Sequence, residues 1–340
     1  MSSRLFAAGV SGPRLTDSER RLLSQSPPLG AILFRRNIES AEQLQALIAE
    51  LRACGVALLF VDEEGGPVDR LRDLLAPLPS FRRAAAAGRA REAGALAGES
   101  LRTLGFDVDL APVVDRAVPN AGAAVLGERA ASGEPGEVIR AADAFLGGLH
   151  AAGVGGCLKH FPGLGRARLD THESLPTIPP DPHQDALDLA PFDSLMEKAR
   201  AVMVSHAAGP DGVPASLSYA RATSQLRDVL DFDGAAFSDD LEMGALSAFG
   251  ALPERAAAAA RAGCDLLLVC GGLDSYAACL EAVERDVPAA RRAEALERLA
   301  GYEAHVKELR RTRAALPAMD AAITRIAGRI REFGESLAQT

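Results

Sequence analysis

Eight short apolar runs recur along the chain: RLFAAGV (4–10), GAILF (30–34), VALLFVD (56–62), VDLAPVVD (108–115), GGCLKHF (155–161), AVMVSHA (201–207), GAAFSDD (234–240) and DLLLVCG (265–271). None alternates strictly between apolar and polar positions, so each predicts a strand buried on both faces. Stretches of helical period lie between them. Residues 40–55 carry the fullest signals, with Ser40 ahead of a glutamate in the first turn and Gly55 at the close. Residues 88–105 and 136–153 read the same way. Eight strands separated by helices predict an α/β protein built as a (β/α)8 TIM-type barrel. The stretch 284–340, rich in Ala, Arg, Glu and Leu, predicts C-terminal helices that close the same domain, so 1–340 reads as one unit. A doubly wound open sheet is the structural alternative, but no strand is followed by its GxGxxG fingerprint.

Composition narrows the partners. Of 340 residues, 48% are hydrophobic and 24% charged, enough apolar surface for a large core and too little charge for disorder. The formal net charge of −9 argues against nucleic acid or an anionic membrane as partner. No run approaches the roughly 18 apolar residues of a membrane span. The opening MSSRLFAAGVSG lacks the apolar centre of a secretory signal. The five cysteines form no CxxC pair and read as buried free thiols. The expectation is a cytoplasmic protein.

The polar residues of the strands gather at their carboxyl ends: Asp62, Asp115, Lys159, His160, His206, Asp239 and Asp240. In a barrel these ends converge on one mouth, where chemistry is placed. Charges there are costly unless they share a purpose or a partner. The stretch KHFPGLGRARLDTH (159–172) extends the set into a loop with a proline and two glycines. In an extended segment Asp170 and His172, two apart, point to one side, so the carboxylate can orient the imidazole for proton transfer. A strand ending Ser-Asp-Asp (238–240) offers carboxylates able to attack an anomeric carbon, hold a metal, or accept hydrogen bonds from hydroxyls.

Taken together these motifs resemble glycoside hydrolase family 3, in its single-domain bacterial β-N-acetylglucosaminidase branch. GAILFRRNIESAEQL (30–44), VDEEGGPVDRL (61–71), LAPVVD (110–115), GERAASGEP (127–135), KHFPGLG (159–165), DTH (170–172), MVSHAAGPDGVPASLS (203–218) and FSDDLEM (237–243) follow the family's order. The resemblance implies that Asp239 is the nucleophile, although sequence alone does not separate it from Asp240. It implies that His172 is the general acid/base with Asp170 as its dyad partner, and that Asp62, Arg70, Arg129, Lys159 and His160 grip the sugar. It implies no metal and no cofactor. Three positions depart from the family's common pattern: Glu63 for Gln, Pro67 for Arg and Leu164 for His. The segment after Gly165 is also more basic than usual.

The implied activity is retaining exo-hydrolysis of terminal β-linked N-acetylglucosamine from small soluble glycans, cell-wall muropeptide fragments recycled in the cytoplasm among them, by a monomer. An aromatic content of 4% with no Trp fits a short pocket better than a long cleft. Three alternatives stand beside it. The first is a β-N-acetylglucosaminide phosphorylase, since a histidine in place of a second carboxylate does not repel phosphate. The second is a sugar-binding pseudoenzyme, prompted by Leu164. The third is a metal-dependent hydrolase using His160, His172, His206 and Asp239, for which no HxH or HExxH spacing is present.

Overall fold

Every one of the eight apolar runs carries a strand. In chain order the strands are β1 (Phe6–Gly9), β2 (Gly30–Ile32), β3 (Leu58–Val61), β4 (Glu63–Gly65), β5 (Val68–Asp69), β6 (Val108–Asp109), β7 (Leu158–Phe161), β8 (Ala201–Val204), β9 (Ala235–Asp240) and β10 (Leu266–Val269). The computed structural model describes residues 2–118, 126–168, 175–273, 275–311 and 319–339. Asp170 and His172 lie outside the described residues.

The fold is α/β. Eight strands form one curled sheet in the order β6-β3-β2-β1-β10-β9-β8-β7, with every paired neighbour parallel. Such a sheet is consistent with a TIM-like barrel. Its two outer strands also approach each other: Val108 pairs with Gly155 and Val113 with Lys159, both parallel. The Asp109 N–H donates to Gly155 O at 2.9 Å and the Val114 N–H to Lys159 O at 2.8 Å.

The run 108–115 was expected to be a full strand, yet only Val108–Asp109 is one. Pro112 lacks the N–H that a ladder needs, so beyond Asp109 the run touches β7 through the bridge at Val113. The helix expected over 40–55 spans Ala41–Ala53. The Ser40 hydroxyl accepts the Gln43 N–H at 3.2 Å, and Gly55 takes the positive φ of 95° that turns the chain out. Two elements were not anticipated. One is the tight hairpin β4–β5, and the other is a wide, π-type helix over Ala220–Val229.

The tail forms helices Ala289–Arg311 and Met319–Ala338. Tyr302 of the first is buried, and its hydroxyl donates to Gly156 O at 3.0 Å. Its ring meets Phe237 edge-on at 5.4 Å, and Phe237 meets Phe60 at 5.9 Å. Each such pair adds about 0.5–1.5 kcal/mol beyond the area it buries. Arg310 of the same helix and Arg52 both grip Asp107, one residue before β6. The helix thus packs under the strands, at the end opposite the polar residues. No helix among the described residues is long and apolar enough to cross a membrane.

Candidate active site

The polar strand ends meet around one buried cation. Lys159, on β7, is 2% exposed. Its Nζ lies 2.7 Å from Asp62 Oδ1 and 2.5 Å from Glu64 Oε1. Arg129 completes the cage with two near-parallel bonds to Glu64, Nε to Oε2 at 2.8 Å and Nη2 to Oε1 at 2.9 Å. Burial alone would raise the Glu64 carboxyl, but the charges of Lys159 and Arg129 outweigh it and hold the group at about 2. Burial would lower the Lys159 ammonium, but Asp62 and Glu64 raise it instead. Arg70 joins at the rim, Nη2 3.8 Å from Asp62 Oδ2. Its Nε is buried without a hydrogen-bond partner among the described residues.

His160 stands next in line. Its Nδ1–H donates to Asp115 Oδ2 at 2.7 Å, and Arg129 Nη2 lies 3.3 Å from Nε2. Asp115 also accepts the His160 N–H at 3.1 Å and the Leu164 N–H at 2.6 Å, so one buried carboxylate orients both the imidazole and the start of the following loop. His206, after β8, is held by Ser216 Oγ at 2.7 Å from Nδ1, while its Nε2–H donates to Asp240 O at 2.8 Å. Both ring nitrogens of His160 and of His206 thus have a polar partner.

Asp239 and Asp240 end β9 and have opposite environments. Burial acts to raise Asp239, but the imidazoles of His206 and His160, the Asp240 N–H and the Lys159 ammonium outweigh it and bring it below the ordinary carboxylate value. Asp240 is raised, first by burial. Its Oδ1 accepts the Glu242 N–H at 3.1 Å and the Cys270 N–H at 3.4 Å, which ties it into the turn. Of the two, Asp239 is the carboxyl held below its ordinary value by the cage and the imidazoles.

Of the residues singled out from sequence, the structure thus brings together Asp62, Arg70, Arg129, Lys159, His160 and Asp239. Glu64 was missed as a member of the site. It sits on β4, beyond the strand end, where a run of three acids gives no sign of which one turns inward. The hairpin turns it: Gly65 and Gly66 both take positive φ, 79° and 62°, and a Cβ on Gly65 would stand 2.3 Å from Pro79 O.

Two of the departures have physical reasons. Leu164 is buried in an apolar cluster with Val113, Leu126, Ala130, Ala167 and Ala207 at the mouth. It plugs the base of the loop and stays out of the polar cage. Glu63 faces Asp69 across the hairpin, and both are buried. Burial first, then Asp69 and Asp109, push Glu63 well above its ordinary value of 4.5. A protonated Glu63 is close to glutamine in shape and, like it, can donate a hydrogen bond while its other oxygen accepts. Folding then takes up a proton, so stability falls as pH rises above 4.5 toward the folded value. Glu63→Gln should remove this slope: thermal midpoints should match wild type near pH 4 and exceed it at pH 8. A lower midpoint than wild type at pH 8 would mean that Glu63 is needed as an anion.

A cage of buried charges beside an ionised carboxylate at the carboxyl end of a parallel strand suits a hydrolase that acts on a polyhydroxylated substrate. The family model for the glycosyl hydrolase family 3 N terminal domain matches residues 5–301. The chain belongs to glycosyl hydrolase family 3, and it is a glycoside hydrolase. A β-hexosaminidase of Idiomarina loihiensis is 37% identical over 296 residues, covering 82% of this chain and 87% of the relative. Among solved structures, a family 3 β-N-acetylglucosaminidase from Paenibacillus superposes with a TM-score of 0.86 at 32% identity, over 97% of this chain and 67% of that one. NagZ from Neisseria gonorrhoeae, solved with N-trifluoroacetyl-D-glucosamine, gives 0.78 at 30% identity, over 95% and 97%.

Proposed function

We propose that the chain is a retaining exo-β-N-acetylglucosaminidase that removes terminal β-linked N-acetylglucosamine from small soluble glycans, cell-wall muropeptide fragments in the cytoplasm among them. The observation that carries this reading is the ionised Asp239 beside the Asp62–Lys159–Glu64–Arg129 cage. Sugar hydroxyls meet donors and acceptors already fixed by one another, so little ordering is left for binding. Asp239 attacks the anomeric carbon and forms a covalent glycosyl-enzyme, while His172, oriented by Asp170, protonates the departing oxygen. The same imidazole then takes a proton from water, which releases the sugar with its configuration retained. The bridges between the outer strands support a closed (β/α)8 barrel, and the contacts of Tyr302 and Arg310 support the C-terminal helices as part of that one domain.

Proton NMR of a reacting aryl β-N-acetylglucosaminide, run with and without phosphate, tests the reading. The β-anomer of free N-acetylglucosamine should form first in both. An α-anomer formed first would overturn the covalent step, and a sugar 1-phosphate would overturn hydrolysis in favour of phosphorolysis.

A further inference from the structure

The segment between Phe161 and Arg168 is fastened far more heavily than a surface loop needs. Leu164 and Ala167 are packed in the apolar cluster at the mouth. Gly165 lies so close to the neighbouring backbone that a Cβ there would stand 2.1 Å from Arg116 O. Arg168 and Thr177 exchange two backbone bonds, 2.8 and 3.0 Å, and Thr177 pairs in turn with Ala208 beyond β8. The two ends of the stretch 169–176 are therefore joined at their base.

Arg166 ties this neck to the body. Its guanidinium is buried, with Nε donating to Asp188 Oδ2 at 2.6 Å, Nη1 to Pro179 O at 2.8 Å, and Nη2 to Asp185. Asp185 and Asp188 belong to the helix Pro182–Ala199. Arg116 shares the second of them, its Nη1 3.0 Å from Asp188 Oδ1, and reaches Gly133 O through Nε at 2.9 Å. One guanidinium thus bonds residues on the far side of the stretch (179, 185, 188) to the residue that precedes it. A buried ion pair adds little net stability over apolar packing, because desolvation offsets the attraction. What a planar five-donor group supplies here is fixed geometry.

We propose that Arg166 is a positioning residue for the acid/base segment: it sets the two ends from which Asp170 and His172 are carried. The inference rests on the reading of His172 as the proton donor. A misplaced donor has a kinetic signature. Cleavage of a poor leaving group needs its oxygen protonated in the transition state, whereas a dinitrophenolate departs without help. A fault in the sugar cage or in overall folding lowers both rates alike.

Arg166→Ala leaves Asp188 paired with Arg116, so no buried carboxylate is stranded. It should lower kcat/KM for a 4-methylumbelliferyl β-N-acetylglucosaminide by roughly 10- to 100-fold, the scale of an ångström-sized misplacement. The 2,4-dinitrophenyl glycoside should lose less than about threefold under the same reasoning. Arg166→Lys should fall between wild type and Arg166→Ala. His172→Ala is measured alongside. If it lacks the leaving-group dependence, the acid/base reading itself fails. If it shows the dependence and Arg166→Ala loses both substrates equally or neither, only the positioning role fails. Should Arg166→Ala not fold, Arg166→Lys and Asp185→Asn, each of which loosens the clamp without emptying it, carry the same comparison: a loss confined to the poorer leaving group supports the role, and an equal loss overturns it.

Discussion

Asp239→Ala should turn over an aryl β-N-acetylglucosaminide roughly 10⁴-fold or more slower than wild type, the scale on which removal of a catalytic nucleophile acts. The fold should survive. The carboxylate is half-buried, and the hydrogen bond it accepts comes from its own neighbour, the Asp240 N–H at 2.8 Å. The surrounding charges outweigh desolvation, so the thermal midpoint should fall slightly at neutral pH while circular dichroism stays near wild type. Added azide gives the sharper reading. A small anion entering the vacated space attacks the β-glycoside from the opposite face, and one inversion yields the α-glycosyl azide. Turnover equal to wild type, or a β-azide product, would remove Asp239 from its assigned role.

Lys159→Met should cost about 3–5 kcal/mol of stability, because it strips the shared cation from two carboxylates and leaves a buried charge set without its centre. Arg129 still holds Glu64 and Arg70 still neighbours Asp62, so the protein should remain folded near neutral pH. Acid should then narrow the gap to wild type. Glu64 sits at about 2 in the folded state against an ordinary 4.5, so its contribution is complete above 4.5 and is lost as pH falls toward 2. The charge of Lys159 leads the effects that lower it. Without that charge the folded value rises toward 4.5, so the acid loss ends at a higher pH and is smaller than in wild type. Urea unfolding at several pH values measures both effects. An unchanged midpoint at pH 7, or an acid loss as large as that of wild type, would show that the cage does not depend on its lysine.

The strands were legible because burial on both faces leaves an unbroken apolar run, and the site was legible because charge at the end of such a run is conspicuous. Lys159, His160 and Asp239 stand out for that reason alone. Glu64 did not, since its direction depends on a hairpin whose register lies in two glycine torsions. Asp115 and His206 were visible as strand-end polar residues, but their work of orienting His160 and bonding Asp240 is a matter of side-chain geometry. The helix Pro182–Ala199 carries Pro191 in its interior, a residue that counts against a helix in any reading of propensity. Arg166 appeared only as surplus basic charge, because its partner Asp188 lies 22 residues further on. The closest approach of the outer strands, likewise, is written in no local pattern.

The wiring of the cage also bears on what can enter it. Asp62, Glu64, Asp115 and Asp239 face Lys159, Arg70, Arg129 and the imidazoles of His160 and His206. Each fixed cation is already spoken for by a carboxylate within the protein. A neutral guest can trade hydroxyl contacts with this array and leave its balance intact. A uronic acid or a sugar phosphate would have to pull a guanidinium away from Glu64 or Asp62, so anionic sugars are expected to bind more weakly than neutral ones.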